Sequence, residues 1–357
     1  MANIKIRKTF LSQGKGKTGQ PNQKKEPPLD AADQGRHLLE DTMQWTKSLL
    51  RLPPIRTEIT RDPKDANAPG KGLTEAQAKA ESKILDPLDP LTRGSFERIK
   101  QAVAGDPAAR AALSRLLTEG RLSDDLLQGL LTLETQAFAP GIDGKALLAD
   151  AIEELEDPAC INQQKQNTCG ATSAQIFLAK NQPVEYLRLL SGLASPEGKV
   201  ETRGGDELER KADWSAEDGG RTLSSQLLQP AFMELSNGKL SYDNTKDWHS
   251  LWKIPVYPGV MPDDEARLMT SVTGRTYRSD LTLLDKEKIV SSLKPGPGTE
   301  IPVVLNYQNK PPIAPAHWML LTKIEDGYAH FLNPYGWEER MTVEEFQKNL
   351  LALVQPE

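Results

Sequence analysis

The sequence predicts an α+β fold in which an all-helical region precedes a mixed half. Three observations carry this. Leucines recur at helical spacing between residues 74 and 156. Beyond Ala159 the texture changes, and helical patterns give way to three apolar, β-rich runs, Ile301–Tyr307, His317–Ile324 and Tyr328–Leu332. Short turn signals join the last two, so they pair antiparallel, and helices followed by antiparallel strands make an α+β unit.

The elements follow in order. Residues 1–30 are rich in Lys, Gln, Gly and Pro, lack apolar periodicity and read as a disordered basic tail. Residues 31–51 suit one amphipathic helix carrying Leu39, Met43, Leu49 and Leu50, and Pro-rich, charged residues 52–73 read as a linker. A helical domain is expected over 74–158. Asp106 caps a helix with Pro107 at its first position, and Leu113, Leu116 and Leu117 form its apolar face. Ser123 caps the next helix, which carries Leu126, Leu127, Leu130, Leu131 and Leu133, and a last one over 144–156 stops at Asp157-Pro158.

The second unit, 159–357, opens with helices near 169–180 and 183–193. A long exposed loop is expected over the Gly-rich, charged residues 195–219. Helices near 220–236 and 263–273 precede the three β runs. Thr342 caps a closing helix, with Glu345 completing a capping box.

Composition narrows the function. The formal net charge is −6, which offers no electrostatic footprint for nucleic acid. Residues 1–25 carry seven Lys/Arg and no acid, leaving −13 for the rest. No apolar run approaches the ~18 residues of a membrane helix, and the first residues lack the apolar core of a secretory signal. Two cysteines, Cys160 and Cys169, exclude a disulfide framework and fit a reducing compartment.

Cys169 opens a helical pattern in which Ala174, Phe177 and Leu178 recur. Unpaired N–H groups and the positive dipole end favour a thiolate there. Gly170 and Ala171 are small, so a substrate backbone can approach, and the Cys169 N–H can help hold an oxyanion. Cys160 fits the default for a free thiol, a buried packing residue.

Four histidines exist, His37, His249, His317 and His330. If Glu325-Asp326-Gly327 is a three-residue hairpin loop, Ile324 pairs with Tyr328 and Asn333 falls opposite Met319. His317, Met319 and Asn333 then share a face, and an Asn carbonyl reaches the imidazole. A two-residue Asp326-Gly327 loop would put His317 and Asn333 on opposite faces. His330 shares the face of Leu332, so His317 is the expected base. An orienter needs an acceptor but no charge, so a neutral Asn serves. Gln163, Gln164 and Gln166 precede the cysteine, and the amide of any of them can donate to an oxyanion.

At these residues the chain resembles the papain-like superfamily of cysteine peptidases. The order Gln, Cys-Gly, His, Asn matches over about residues 159–350. Gln163 stands six positions before Cys169, and His317 lies 148 residues after it. Asn333-Pro334-Tyr335-Gly336-Trp337 looks like the Asn, aromatic and Gly segment of papains and calpains. The pattern is also similar to the double-glycine leader peptidases of transport systems, where Asp usually replaces the Asn.

The resemblance implies a papain-like two-lobed catalytic domain, with a helical lobe carrying the Cys, a β lobe carrying the His and Asn, and a cleft between them. It implies a thiol protease in which Cys169 attacks a carbonyl, Gln163 and the Cys169 N–H hold the oxyanion, and His317 protonates the leaving amine. Asn333 orients His317, and Trp337 shields the pair. No metal or cofactor is expected, and the partner is a protein or peptide substrate.

Two other functions compete. The same site suits a deamidase or transglutaminase acting on a protein glutamine, as in papain-like effector toxins, and the basic leader would then be an export or docking address. The other is an inactive interaction module. The expected location is cytoplasmic, or outside the cell after delivery without a signal peptide.

Overall fold

The computed structural model describes residues 55–63, 74–215, 220–237, 240–251, 254–257, 259–281, 285–307 and 316–357. The expected basic tail and the expected helix over 31–51 lie outside them. Part of the expected linker over 52–73 is instead a strand, β1 (Glu58–Arg61). It forms because a sheet edge is there to pair with, a fact its own Pro-flanked sequence does not carry.

Five helices follow, α1 (Glu75–Leu85), α2 (Pro90–Ala102), α3 (Pro107–Thr118), α4 (Asp124–Thr135) and α5 (Gly144–Glu156). Their starts are written in side-chain caps. Thr74 and Gln77 form a capping box, and Asp89, Asp106, Ser123 and Asp143 each accept from backbone N–H groups of the first turn. The leucine faces Leu113/Leu116 and Leu126/Leu130/Leu133 are fully buried.

A 3-10 turn (Pro158–Cys160) leads to α6 (Cys169–Asn181) and α7 (Pro183–Ala194). The stretch expected as a long loop over 195–219 contains a small hairpin, β2 (Lys199–Glu201) and β3 (Glu207–Glu209). Each strand turns a single apolar residue inward, Val200 against Gly192 and the buried Leu208, which is too short a pattern to see among charged neighbours.

Next come α8 (Leu223–Ser236), the three-stranded β4 (Ser241–Asp243), β5 (Trp248–Leu251) and β6 (Ile254–Tyr257), then α9 (Pro262–Thr273), β7 (Tyr277–Leu281) and α10 (Lys286–Ser292). The chain closes with β8 (Ile301–Asn306), β9 (Ala316–Glu325), β10 (Tyr328–Asn333), β11 (Trp337–Thr342), α11 (Val343–Asn349) and β12 (Leu350–Pro356). Thr342 caps α11 by accepting from the Glu345 N–H at 3.2 Å. The capping box is not completed, because the Glu345 carboxylate accepts instead from Asn349 Nδ2 and the Arg56 N–H.

The architecture is therefore α+β. Eleven α-helices are present among the described residues, with a seven-stranded sheet of order β1-β11-β10-β9-β8-β12-β7. Every neighbouring pair in that sheet is antiparallel. The sheet is buried on both faces. Val304, Trp318, Leu320 and Leu332 turn toward the helices and join one apolar cluster that runs from Leu85 to Val354. Val303, Leu305, Met319, Leu321 and Phe331 turn the other way and pack with Ile55, Val290 and Phe346. Such two-sided burial explains why β8 reads as a continuous apolar run rather than an alternating one.

The helical segment is keyed to the rest by a buried carboxylate as well as by leucines. Glu154 on α5 accepts from Gln175 Nε2 (2.9 Å), Tyr186 Oη (2.6 Å), Thr222 Oγ1 (2.7 Å) and Ser224 Oγ (2.5 Å). Gln175 lies on α6, so this network ends about 1.7 turns from the cysteine. No helix among the described residues is long and apolar enough to cross a membrane.

Candidate active site

Cys169 is the first residue of α6, and its helix start is held from several sides. Thr168 makes no side-chain cap; its hydroxyl donates to Gln229 Oε1 on α8 at 2.9 Å. The backbone N–H and Nδ2 of Asn167 both donate to Asp247 Oδ2, at 2.7 and 2.5 Å. Gly170 has no room for a side chain, since a Cβ there would stand 2.6 Å from Glu265 Oε2 and 2.9 Å from Val260 Cβ. The thiol is pushed up to about 12, first by burial and also by the Glu265 and Asp247 carboxylates. N–H groups of Trp318 and Gly170 facing the sulfur pull the other way without prevailing. This runs against the expectation that unpaired N–H groups and the positive dipole end favour a thiolate there. A nearly enclosed sulfur (Cys169 is 9% exposed) loses more hydration than the helix start returns.

The loop before the cysteine is stitched to the loop after β10. The Gln163 N–H donates to the Pro334 carbonyl at 2.7 Å, and Asn162 Nδ2 donates to the Tyr335 carbonyl at 2.6 Å. Gly336, at φ +89°, lets this happen, because a Cβ there would meet Asn162 Nδ2 at 2.7 Å. Gln163 is buried. Its Nε2 donates to the Gln166 carbonyl at 2.5 Å, while its Oε1 has no partner. An amide nitrogen has two hydrogens, so this bond uses one of them. Gln164 and Gln166 turn elsewhere, to the carbonyls of Gly220 and Asn244.

His317 and Asn333 meet directly, with Nε2 and Oδ1 at 2.9 Å. The surroundings fix the amide. Asn333 Oδ1 also accepts from the Tyr335 N–H at 3.0 Å, and Nδ2 donates to Glu339 Oε2 at 3.0 Å. Oδ1 therefore faces the ring, Nε2 carries the proton, and Nδ1 is the acceptor nitrogen in the neutral imidazole. Tyr335 stacks on the imidazole with centroids 4.5 Å apart and planes within 9°, and Tyr307 packs at 5.0 Å. The expected shield, Trp337, is one layer out. Its ring lies 5.4 Å from that of Tyr335, and its Nε1 donates to Glu339 Oε2 at 2.8 Å.

The structure thus gathers the predicted residues through two links. Trp318, whose N–H faces the Cys169 sulfur, adjoins His317 in β9. Pro334, which holds Gln163, adjoins Asn333. The other histidines stand apart. His330 approaches Glu325 at 3.9 Å, and buried His249 packs on Tyr242. His37 lies outside the described residues. Cys160 is half-buried rather than the buried packing residue expected, and desolvation still pushes its thiol well up.

Three neighbours escaped the sequence. Glu339 is a buried carboxyl on β11 that takes hydrogen bonds from Trp337, Asn333 and Tyr307, with burial nevertheless raising its proton affinity. Tyr335 is the stacking partner of His317, which was visible only as an aromatic after Asn-Pro. Glu265 in the first turn of α9 is fully buried, with no hydrogen-bond partner on either oxygen. Among the described residues, no group of three or more His, Cys, Asp or Glu side chains is arranged to hold a metal ion. Neither a protein-family model nor a curated protein matches the chain.

Proposed function

We propose that this chain is a papain-like cysteine peptidase, with the helices around α6 and the sheet around β9 and β10 forming the two sides of its catalytic domain. The observation that carries this reading is the 2.9 Å bond between His317 Nε2 and Asn333 Oδ1, in a ring whose neighbour Trp318 presents its N–H to the Cys169 sulfur. Nucleophilic acyl transfer requires a thiol and an oriented base that can take its proton, and in this reading Cys169 and His317 are that pair.

In this reading Nδ1 of His317 takes the Cys169 proton as the sulfur attacks the substrate carbonyl carbon. Proton transfer within the site is needed because the isolated thiol, pushed up to about 12, stays protonated at neutral pH. Negative charge gathers on the carbonyl oxygen, where the Cys169 N–H and the second N–H of Gln163 Nε2 receive it. The C–N bond breaks, His317 returns its proton to the leaving amine, and a thioester remains. Water then attacks the thioester, giving a proton to His317; the C–S bond breaks, the acid product leaves, and His317 returns the proton to the Cys169 sulfur. Asn333 holds the tautomer and ring plane throughout, and Tyr335 covers one face of the ring.

Mass spectrometry of a protein and peptide mixture, with wild type beside Cys169→Ala, tests the reading. New termini made only by wild type support it. A gain of about 1 Da at glutamines, or a crosslink, would assign the same site to deamidation or transglutamination instead. Identical spectra for the two proteins would overturn it.

A further inference from the structure

Six glutamates in the described chain are buried, namely Glu81, Glu154, Glu185, Glu265, Glu300 and Glu339. Five have partners. Glu81 holds Lys100, Glu185 holds Arg188 and Arg203, and Glu300 holds Asn181 and Lys180. Glu154 and Glu339 take the hydrogen bonds described above. Glu265 alone has neither oxygen bonded, although a buried carboxylate without a partner is costly. It sits against Gly170, next to the proposed nucleophile, with the Val260 side chain alongside.

We propose that Glu265 is a positioning residue for the chemistry of Cys169: its carboxyl and the thiol share one enclosed pocket, so the sulfur ionises more readily while Glu265 keeps its proton. The inference rests on Cys169 being the nucleophile.

The elements packed around α9 supply no cation beside Glu265, and the one group expected to turn cationic at the sulfur is the base His317 of β9. On α9 itself, Arg267 is drawn to Asp264 and to the Ser236 carbonyl, while Asp263 accepts from Ser279. On α6 the nearest lysine, Lys180, is at the far end and pairs with Glu300. On α8, Glu234 pairs with Lys211, and on β7, Arg278 pairs with Asp280 and Tyr277 is pushed up by burial. No ionisable side chain lies in β12. Asp247, below the loop before Cys169, adds a second negative group and takes its bonds from Asn167 and Tyr242. Burial pushes Glu265 up to about 8, with Asp264 adding to it, so the carboxyl is neutral at pH 7 and charged above pH 8. The two groups then titrate as a coupled pair.

The test is the rate at which iodoacetamide alkylates Cys169 in the full chain from pH 6 to 10. It is followed on the Cys169 peptide by mass spectrometry, so Cys160 does not interfere. Wild type and Glu265→Gln should agree below pH 7. By pH 9.5 Glu265→Gln should react about ten-fold faster, equivalent to one pH unit in thiol ionisation. Glu265→Asp should follow wild type, and Glu265→Met, which also lacks the charge, should follow Glu265→Gln even if one variant folds poorly. Superimposable wild-type and Glu265→Gln profiles would overturn the proposal, as would a Glu265→Asp profile like that of Glu265→Gln. The readout needs no substrate, so absence of peptidase activity and absence of this coupling are separate results.

Discussion

His317 and Asn333 meet at 2.9 Å because two irregularities in their hairpin cancel. The turn is a two-residue one, with Asp326 and Gly327 both at positive φ and Glu325 opposite Tyr328. Alone, that would send the two side chains to opposite faces. The pairing then slips by one between His330/Lys323 and Phe331/Leu321, leaving Thr322 as a bulge. Thr322 Oγ1 donates to the His330 carbonyl at 3.1 Å, which anchors the bulge. Beyond it Leu332 faces Leu320, and Asn333 returns to the face of His317.

Glu339 makes the orienter position intolerant of a second carboxylate. Asn333→Asp would set two carboxylates at the present 3.0 Å separation, and one must take a proton. Asn333→Asp should therefore lower kcat more than ten-fold, by roughly the 10²-fold at the low end of lost acid–base catalysis. Asn333→Asp with Glu339→Gln restores a donor and should recover most of the activity. Steady-state kinetics of the single and double variants check this, and Glu339→Gln giving no rescue would contradict it.

Tyr335 stacks on the imidazole through its ring, so its hydroxyl should matter little. Stacking of this kind is worth about 0.5–1.5 kcal/mol. Tyr335→Phe should keep near-normal kcat, and Tyr335→Ala should lose roughly three- to ten-fold with KM little changed. Equal losses in both variants would place the effect in the hydroxyl.

Glu154 ties α5 to α6, α7 and α8, so the helical segment behaves as part of the catalytic body. Glu154→Ala strands the donors of Gln175, Tyr186, Thr222 and Ser224 and should cost on the order of 3 kcal/mol in urea unfolding. A chain beginning at residue 157 should fail to fold cooperatively. Recovery of a folded, more active 157–357 fragment would instead identify the segment as an inhibitor.

Glu265 also leaves a mark on stability. Its folded value, about 8, lies above the ordinary carboxyl value of 4.5, so the native state holds the proton more tightly than the unfolded chain. Its contribution is full below pH 4.5 and falls as pH rises toward about 8. Unfolding free energies of Glu265→Gln should fall less than those of wild type across that window. Parallel curves would show that Glu265 ionises normally.

Most helices were legible because they carry their own signals, as in Asp106-Pro107 or the leucines after Ser123, whereas the short α10, which has no side-chain cap, was not expected. The His317–Asn333 contact was also legible, but the route expected for it was a three-residue loop, and the bulge at Thr322 is a property of the pairing that no local residue announces. Strand β1 was hidden because it exists through its pairing with β11, with Glu58 against Arg340 and Arg61 bridging Asp157 and Glu338, and β11 was hidden because its mostly polar residues are strand only by pairing with β10. Glu265 is one of three acids in the first turn of α9, and the sequence does not set it apart from the other two. Its isolation is a fact of packing.

Labelling by a peptidyl vinyl sulfone tests most directly whether sulfur, ring and amide work as one site. The account predicts that wild type is modified at Cys169, that His317→Ala and Asn333→Ala each slow the reaction, and that the double variant is no slower than His317→Ala. Labelling of Cys169 at an unchanged rate in His317→Ala would contradict it.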